Sequence, residues 1–206
     1  MCLIFSPAAS WRPDRSRGDA WRVAEAGVQK KVLITGRPGV GKTTVIRKFL
    51  AGAGSTAGGL LTEEIRQSGR RVGFRVEDVH DGTEGILAHA DYASGPRVGK
   101  YRVDVAAFES IGVKALSEAL RRRGVVIMDE IGKMELCSGA FQQAVTDVMD
   151  SDHPVVATIP VHRHPFLEKL RRRGDVTLIE LTTANRDELP LRLLELLDVS
   201  DQGGST

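Results

Sequence analysis

The stretch KVLITGRPGVGKT, residues 31–43, decides the fold because its three parts carry three different patterns. Val32 to Thr35 is an apolar run of strand length, residues 36–41 form a glycine-rich turn, and residues 42–51 have the composition of a helix. The turn and the two residues after it satisfy the pattern of glycine, any four residues, glycine, lysine and then serine or threonine. Strand, glycine-rich turn and helix in this order predict a loop whose backbone N–H groups bind phosphate.

The residues of this loop indicate how a polyphosphate would be held. Glycines let the N–H groups turn towards an anion, and the helix that follows contributes the positive end of its dipole. Lys42 is expected to bridge the β- and γ-phosphates, and the Thr43 hydroxyl is expected to bind Mg²⁺. We therefore predict a nucleotide-binding loop with Mg²⁺ as its cofactor.

A second stretch, VVIMDE at residues 125–130, is an apolar strand that ends in two carboxylates. In a parallel sheet this end lies on the same edge as the phosphate loop. We expect Asp129 to reach the Mg²⁺ held by Thr43. Glu130 is expected to orient or deprotonate a water molecule in line with the γ-phosphate.

The rest of the chain predicts an α/β fold, a three-layer sandwich in which a mostly parallel sheet lies between helices. Residues 57–105 alternate like strands and have turns at Ser68-Gly69 and Asp81-Gly82, which indicates an inserted antiparallel β-meander. Helices are expected at 106–123, 138–150, 165–173 and 188–197, and strands at 125–128, 155–159 and 176–181.

Composition excludes several functional classes. Lys and Arg number 29 against 27 Asp and Glu, so the net charge of +2 lacks the basic excess of a nucleic-acid binder. Two cysteines, Cys2 and Cys137, cannot form a disulfide framework or a zinc site. No apolar run approaches the roughly 18 residues of a membrane span, and no secretory signal is evident. We expect a cytoplasmic monomer with no membrane or nucleic-acid partner.

We divide the chain into a flexible N-terminal extension at residues 1–30, one domain at 31–200 and a disordered tail at 201–206. Prolines and arginines interrupt any periodicity before Lys31, although Trp11 and Trp21 could dock on the domain. The predicted fold needs nothing before Lys31.

Several stretches taken together resemble the cancer-related nucleoside-triphosphatase family, a family of small P-loop NTPases. Besides the phosphate loop they are GLLTEEIR (59–66), GRRVGF (69–74), RVGKY (97–101), DEIGKME (129–135) and Asn185-Arg186. The resemblance runs from about residue 31 to 197 in order. It implies a P-loop NTPase fold and slow hydrolysis of ATP, GTP and other nucleoside triphosphates to the diphosphate and phosphate, with broad base tolerance.

The resemblance also implies which residues contact the nucleotide. One segment comprises Gly36, Arg37, Pro38, Gly39, Val40, Gly41, Lys42, Thr43 and the adjacent Thr44. The second segment comprises Ile127, Met128, Asp129, Glu130, Ile131, Gly132, Lys133 and Met134. It further implies that the loop from Thr62 to Arg66 lies near the phosphates, with Thr62, Glu63 and Arg66 as contacts, although strand-edge polarity explains these residues equally well.

Other polar groups leave alternatives open. Lys133, Arg163 and Arg186 are three candidates for the cation that stabilises the transferred phosphoryl group. Asn185 and Arg186 follow the last strand, so we expect them near the base with little selectivity, but Asn185 with Glu188 also fits a helix capping box. His162 and His164 have metal-ligand spacing and no nearby partner, which favours two loop histidines.

Two LRRRG segments, at 120–124 and 170–174, favour a helix end over a basic binding patch. On this interpretation the arginines offset the negative helix C-terminus, and the glycine takes the left-handed cap position.

Three functions remain. The first is Mg²⁺-dependent hydrolysis of nucleoside triphosphates, with Lys42 and Glu130 as catalytic residues. The second is a nucleoside or small-molecule kinase whose meander binds an acceptor through Glu63, Glu64 and Arg66. The third is a nucleotide-dependent switch that binds a protein partner.

Overall fold

The computed structural model of the protein describes residues 30–54 and 57–198. The predicted flexible extension up to residue 29 and the predicted tail from residue 201 lie outside the described residues. Within the described part, no helix is long and apolar enough to cross a membrane.

The described residues form a sheet of nine strands in the order β5-β6-β4-β3-β2-β7-β8-β1-β9. The strands are β1 (Lys31–Thr35), β2 (Ala57–Gln67), β3 (Arg70–Asp78), β4 (Glu84–His89), β5 (Arg97–Val98), β6 (Tyr101–Val103), β7 (Val125–Asp129), β8 (Val155–Ile159) and β9 (Val176–Glu180). The helices are α1 (Lys42–Ala53), α2 (Val105–Phe108), α3 (Lys114–Arg121), α4 (Gly139–Asp150), α5 (Pro165–Arg171) and α6 (Leu189–Leu196).

Helices cover both faces of the sheet. Successive residues of a strand point to opposite sides, so neighbouring residues of β1 pack against different helices. Leu33 of β1 packs in a cluster with residues of α3, α4 and α5. Its neighbours Val32 and Ile34 pack in a second cluster with residues of α1 and α6. The side chains of Val32, Leu33 and Ile34 are completely buried. The predicted three-layer α/β sandwich is confirmed.

The strand β2 belongs to both halves of the sheet, which the sequence did not reveal. Its first half, from Ala57 to Leu61, pairs in parallel with β7, and the stretch from Leu60 onwards pairs antiparallel with β3. The antiparallel part therefore extends the parallel sheet instead of standing apart from it. Its predicted turn at Ser68-Gly69 is confirmed, with both residues at positive φ as a two-residue hairpin turn requires.

The helix predicted over 106–123 is interrupted. It consists of α2, a π-helical segment at Glu109–Val113 and α3. The side chain of Asp104 caps α2 by accepting a hydrogen bond from the N–H of Ala107. Within the π segment, Gly112 lies so close to the Phe108 ring that a methyl group there would be 2.8 Å from it. Phe108 also packs against Phe141 of α4, a contact between distant residues that the helical periodicity alone could not predict.

The interpretation of the two LRRRG segments is correct for the arginines and wrong for the glycines. Arg121 lies in the last turn of α3 and Arg171 in the last turn of α5, as expected for cations at helix C-termini. The residues that end these helices are Arg122 and Arg172, so neither glycine occupies the cap. After the cap residue, the chain reaches β7 over two further residues and β9 over three.

Candidate active site

The phosphate loop connects β1 to α1 as predicted, and it ends in a free helix N-terminus. Gly41 precedes the helix with φ of 110°, a conformation that a residue with a side chain rarely adopts. No side chain caps α1, so none occupies the position where its first N–H groups would meet an anion. Arg37, Pro38, Gly39 and Thr44 are exposed around this end, and Val40 is half-buried.

Lys42, the first residue of α1, lies over the loop. Its ammonium group donates to the carbonyl oxygen of Gly36 at 3.4 Å and is 3.5 Å from Oε2 of Glu130. Its side chain is only 9% exposed. A cation held between the phosphate loop and Glu130 is placed to bind an anion that enters between them.

Asp129 ends β7 on the same edge of the sheet, as predicted, and it is almost completely buried. Its Oδ1 accepts a hydrogen bond from the hydroxyl of Thr158, a residue of β8, the strand that separates β7 from β1. Its Oδ2 is buried without a hydrogen-bond partner. Burial raises the pKa of Asp129 to about 6, and the nearby hydroxyls of Thr158 and Thr43 act in the opposite direction.

An unpartnered buried carboxylate oxygen beside a threonine hydroxyl fits a divalent cation that binds oxygen ligands. Mg²⁺ usually takes one or two protein ligands and completes its shell with substrate phosphates and water. Thr43 and Asp129 would hold it here. The described residues contain no group of three or more His, Cys, Asp or Glu side chains that could form a metal cage by themselves.

Glu130 contacts different groups from Asp129. Its backbone N–H donates to the hydroxyl of Thr62 at 3.2 Å, and its carboxylate reaches Lys42. The side chain is 31% exposed, so solvent reaches it. Asp129 thus faces the interior of the sheet edge, and Glu130 faces the phosphate loop.

The predicted second segment is only partly accessible. Ile127 and Met128 are completely buried, on opposite faces of β7, and Ile131 is completely buried as well. Their side chains therefore cannot reach a nucleotide from the sheet edge. In this segment the residues with exposed surface are Glu130, Lys133 and Met134.

The residues from Thr62 to Arg66 that were predicted to contact the phosphates differ in their distance from the phosphate loop. Thr62 contacts Glu130 directly. Glu63 pairs with Arg47 of α1 and Arg75 of β3, which ties the β2–β3 hairpin to the helix of the phosphate loop. Arg66 lies five residues beyond Leu61, the β2 residue level with Asp129, or roughly 16 Å along the strand. It bonds Gly69 and Glu64 at the hairpin tip, so a phosphate contact by Arg66 has no support.

Of the three candidate cations, Arg186 lies beside the phosphate loop. A methyl group at Gly41 would be 4.0 Å from its Cδ atom. Arg163 is exposed in the connection after β8, the strand that lies between β7 and β1 in the sheet. Lys133 is exposed in the connection after β7. The ammonium of Lys133 is close enough to His162 to lower the pKa of that ring, after burial as the larger cause. All three cations therefore lie on the same edge.

The capping box proposed for Asn185 is wrong. The helix α6 begins at Leu189 after Glu188, without a side-chain cap. Asn185 instead donates to the carbonyl of Glu180 and accepts from the N–H of Thr182, which closes the loop after β9. Pro190 then lies in the first turn of α6, where its missing N–H costs nothing.

Of the two histidines His162 and His164, His164 accepts a hydrogen bond from the N–H of Phe166 and so caps α5.

Two residues of the site were missed by the sequence analysis. Thr158 is a hydroxyl in the otherwise apolar strand VVATI, and that polar position was the available signal. Glu135 is 5% exposed and accepts a hydrogen bond from the N–H of Gly132 at 3.1 Å. Its signal was a carboxylate between the apolar residues Met134 and Leu136.

Glu135 predicts a pH dependence of folding stability. Burial raises the pKa of its carboxyl from 4.5 to about 8, and the carboxylates of Glu130 and Asp129 add to the effect. A carboxyl whose pKa is raised in the folded state stabilises the fold fully at a pH below its ordinary pKa. This contribution is lost as the pH rises through the pKa of the folded state. Since one pKa unit corresponds to about 1.4 kcal/mol, we expect the contribution of Glu135 to the free energy of unfolding to fall by about 2 to 4 kcal/mol between pH 5 and pH 8.

Urea unfolding of the wild type and of the Glu135→Gln variant measures this loss, because glutamine has no titrating group at the position. The wild type should lose stability relative to the variant as the pH rises. Parallel pH dependences in the two proteins would contradict the protonated state of Glu135.

Comparison with known proteins agrees with this geometry. A family profile described as NTPase matches residues 31–194. A nucleoside-triphosphatase THEP1 of Thermotoga sp. (strain RQ2) is 48% identical over 167 residues, covering 81% of this chain and 95% of the relative. The same-named protein of Thermofilum pendens is also 48% identical, covering 80% of this chain and 93% of the relative.

Two solved structures are similar to this chain over most of its length. The crystal structure of THEP1 from Aquifex aeolicus superposes with a TM-score of 0.76 at 42% identity, covering 82% of this chain and 99% of the other. The solution structure of a human cancer-related nucleoside triphosphatase gives a TM-score of 0.70 at 37% identity, covering 82% of this chain and 98% of the other. The sequence family and the fold therefore agree.

Proposed function

The chain belongs to the nucleoside-triphosphatase family and is a hydrolase, and from that premise we propose that it cleaves ATP, GTP and other nucleoside triphosphates in a Mg²⁺-dependent reaction with broad base tolerance. The observation that carries this proposal is one arrangement at the sheet edge. Lys42 and Glu130 contact each other across the mouth of the phosphate loop, and Asp129, whose Oδ2 has no hydrogen-bond partner, lies near the Thr43 hydroxyl.

The reaction is the attack of water on the γ-phosphorus. The bond from the γ-phosphorus to the β–γ bridging oxygen breaks, and the nucleoside diphosphate leaves with that oxygen. Glu130 orients the water molecule and accepts its proton. Lys42 exchanges its contacts with Gly36 and Glu130 for the β- and γ-phosphate oxygens, which frees the Glu130 carboxylate for water. When bound, Mg²⁺ neutralises charge on the β- and γ-phosphate oxygens.

Base tolerance is supported by the bonding of Asn185. A site that selects one base needs polar groups reserved for the edge of that base. The side-chain amide of Asn185 is 5% exposed and already bonded to Glu180 and Thr182. Arg186 is beside it, and its guanidinium can stack on any base through the π face. We therefore propose that the base is held by stacking near Arg186.

The kinase alternative is not favoured. The relatives are named nucleoside-triphosphatases. The side chains that would bind an acceptor also pair internally, Glu63 with Arg47 and Arg75, and Glu64 with Arg66 and Arg71. The predictions of a monomer, of a cytoplasmic location and of no nucleic-acid partner remain predictions.

Phosphate release from a panel of nucleotides, with Mg²⁺ or with EDTA, tests the proposed function. We expect ATP, GTP, CTP and UTP to differ in kcat/KM by less than about tenfold, since the side-chain amide of Asn185 is already bonded within the loop after β9. EDTA should reduce the rate by more than roughly 100-fold, because Mg²⁺ supplies most of the charge neutralisation.

Two results would contradict the proposal. One is a rate that does not change when Mg²⁺ is removed. The other is negligible ATP loss in water alone that rises steeply when a nucleoside acceptor is added, which is the behaviour of a kinase.

A further inference from the structure

The connection after β7 is fixed by three consecutive backbone hydrogen bonds. The N–H of Glu130 donates to Thr62, the N–H of Ile131 donates to the carbonyl of Thr158 at 2.9 Å, and the N–H of Gly132 donates to the carboxyl of Glu135. The first two partners belong to the neighbouring strands. The third is a side chain within the connection itself.

Glu135 closes this connection into a turn. Its carboxyl reaches back three residues to Gly132, and the N–H of Leu136 donates to the carbonyl of Gly132 at 3.0 Å. A short 3₁₀ helix at Glu135–Cys137 follows, and then α4 begins. Both the N–H and the carbonyl of Gly132 are therefore held by the two residues that begin the 3₁₀ helix. Without Glu135, the buried N–H of Gly132 would have no acceptor.

Glu135 and Glu130 lie against the same side of Gly132. A methyl group on this glycine would be 2.9 Å from Oε2 of Glu135 and 3.4 Å from Oε1 of Glu130. Only glycine leaves room for both carboxyl groups at this point. A shift of Gly132 would consequently move Glu130 relative to Lys42, its partner across the site.

We propose that Glu135 is the positioning residue of Glu130, because its carboxyl accepts the N–H of Gly132 and so fixes the turn that holds Glu130 towards the phosphate loop. The inference rests on the proposed function of Glu130. It assigns Glu135 no contact with the substrate or with the water molecule.

The environment of Glu135 fits a hydrogen-bonding role. Burial raises the pKa of its carboxyl, so it stays protonated at neutral pH and adds no negative charge beside Glu130. A protonated carboxyl still has a carbonyl oxygen that can accept from Gly132. Glutamine has the same shape, the same length and the same acceptor, and it therefore mimics the residue in its working state.

The test compares Glu135→Met with Glu135→Gln. Methionine has a similar length but no oxygen acceptor, so we expect kcat to fall roughly 10- to 100-fold through misplacement of Glu130. KM should stay within about twofold of the wild type, because the phosphate loop is untouched. Glu135→Gln should keep kcat within about twofold of the wild type, since the acceptor is retained. Glu195→Met, an exposed position on α6, controls for the substitution itself.

Two outcomes overturn the inference. One is wild-type kcat in Glu135→Met. The other is an equal loss in Glu135→Gln, which would mean that the carboxylic acid itself is needed. If Glu135→Met does not fold, Glu135→Asp replaces it, because its carboxyl is one methylene too short to reach Gly132, and wild-type kcat in that variant overturns the inference too. Full turnover in Glu130→Gln would overturn the proposed role of Glu130, and this inference with it, whereas full turnover in Glu135→Met alone leaves the role of Glu130 and the proposed function intact.

Discussion

Replacing Glu130 with glutamine is expected to lower kcat by on the order of 10²- to 10⁴-fold while nucleotide binding is preserved. Glutamine keeps the size of the side chain and an oxygen that Lys42 can approach, but it cannot take a proton from water. Single-turnover phosphate release measures the chemical step, and titration with a fluorescent ATP analogue measures binding. The change therefore separates binding from chemistry at one residue.

The control is Glu195→Gln, which removes a carboxylate from an exposed position on α6. Its rate should equal that of the wild type. A Glu130→Gln variant with wild-type turnover would remove Glu130 from the reaction. A variant that no longer binds nucleotide would show that Glu130 maintains the shape of the phosphate loop instead.

Replacing Lys42 with alanine is expected to weaken both binding and turnover. The ammonium group lies between the carbonyl of Gly36 and the carboxylate of Glu130, and its loss removes the cation expected to contact the β- and γ-phosphates. Removing one donor to a transition-state anion typically costs about 10²- to 10³-fold in kcat. We expect nucleotide affinity to fall by roughly 100-fold as well, because a charge pair is lost from a shielded site.

A matched control is Lys48→Ala on the same helix. Lys48 is 54% exposed and pairs loosely with Asp187 at 3.8 Å, outside the phosphate loop. Its removal should change both quantities by less than about threefold, since exposed ion pairs contribute little. Undiminished ATP affinity in Lys42→Ala would contradict the assignment of this loop as the phosphate site.

The sequence was most informative where one local pattern has only one structural solution. The phosphate loop follows from its glycines, and the position of Asp129 and Glu130 follows from a buried strand that ends in carboxylates. Parallel strands then bring both features to one edge of the sheet. That part of the site needed no knowledge of distant contacts.

The remainder depends on contacts between residues far apart in the chain. The double pairing of β2 is set by β3 and β7 together, and Phe108, the residue before the π segment, packs on Phe141 of α4. Asn185 has the composition of a helix cap, yet it bonds backwards to the end of β9. Glu135 stood in a recognised motif, but its burial is visible only once the chain around it is folded.

The central claim is that a polyphosphate lies between the phosphate loop and the carboxylates at the end of β7. A crystal structure of the Glu130→Gln variant with ATP and Mg²⁺ tests it most directly, because slow turnover preserves the triphosphate. The account predicts the β- and γ-phosphates on Lys42 and the N–H groups at the start of α1, with Mg²⁺ about 2.1 Å from the Thr43 hydroxyl and Asp129 in its coordination sphere or one water molecule away. A triphosphate bound elsewhere, or an ion that Thr43 and Asp129 do not share, would contradict it.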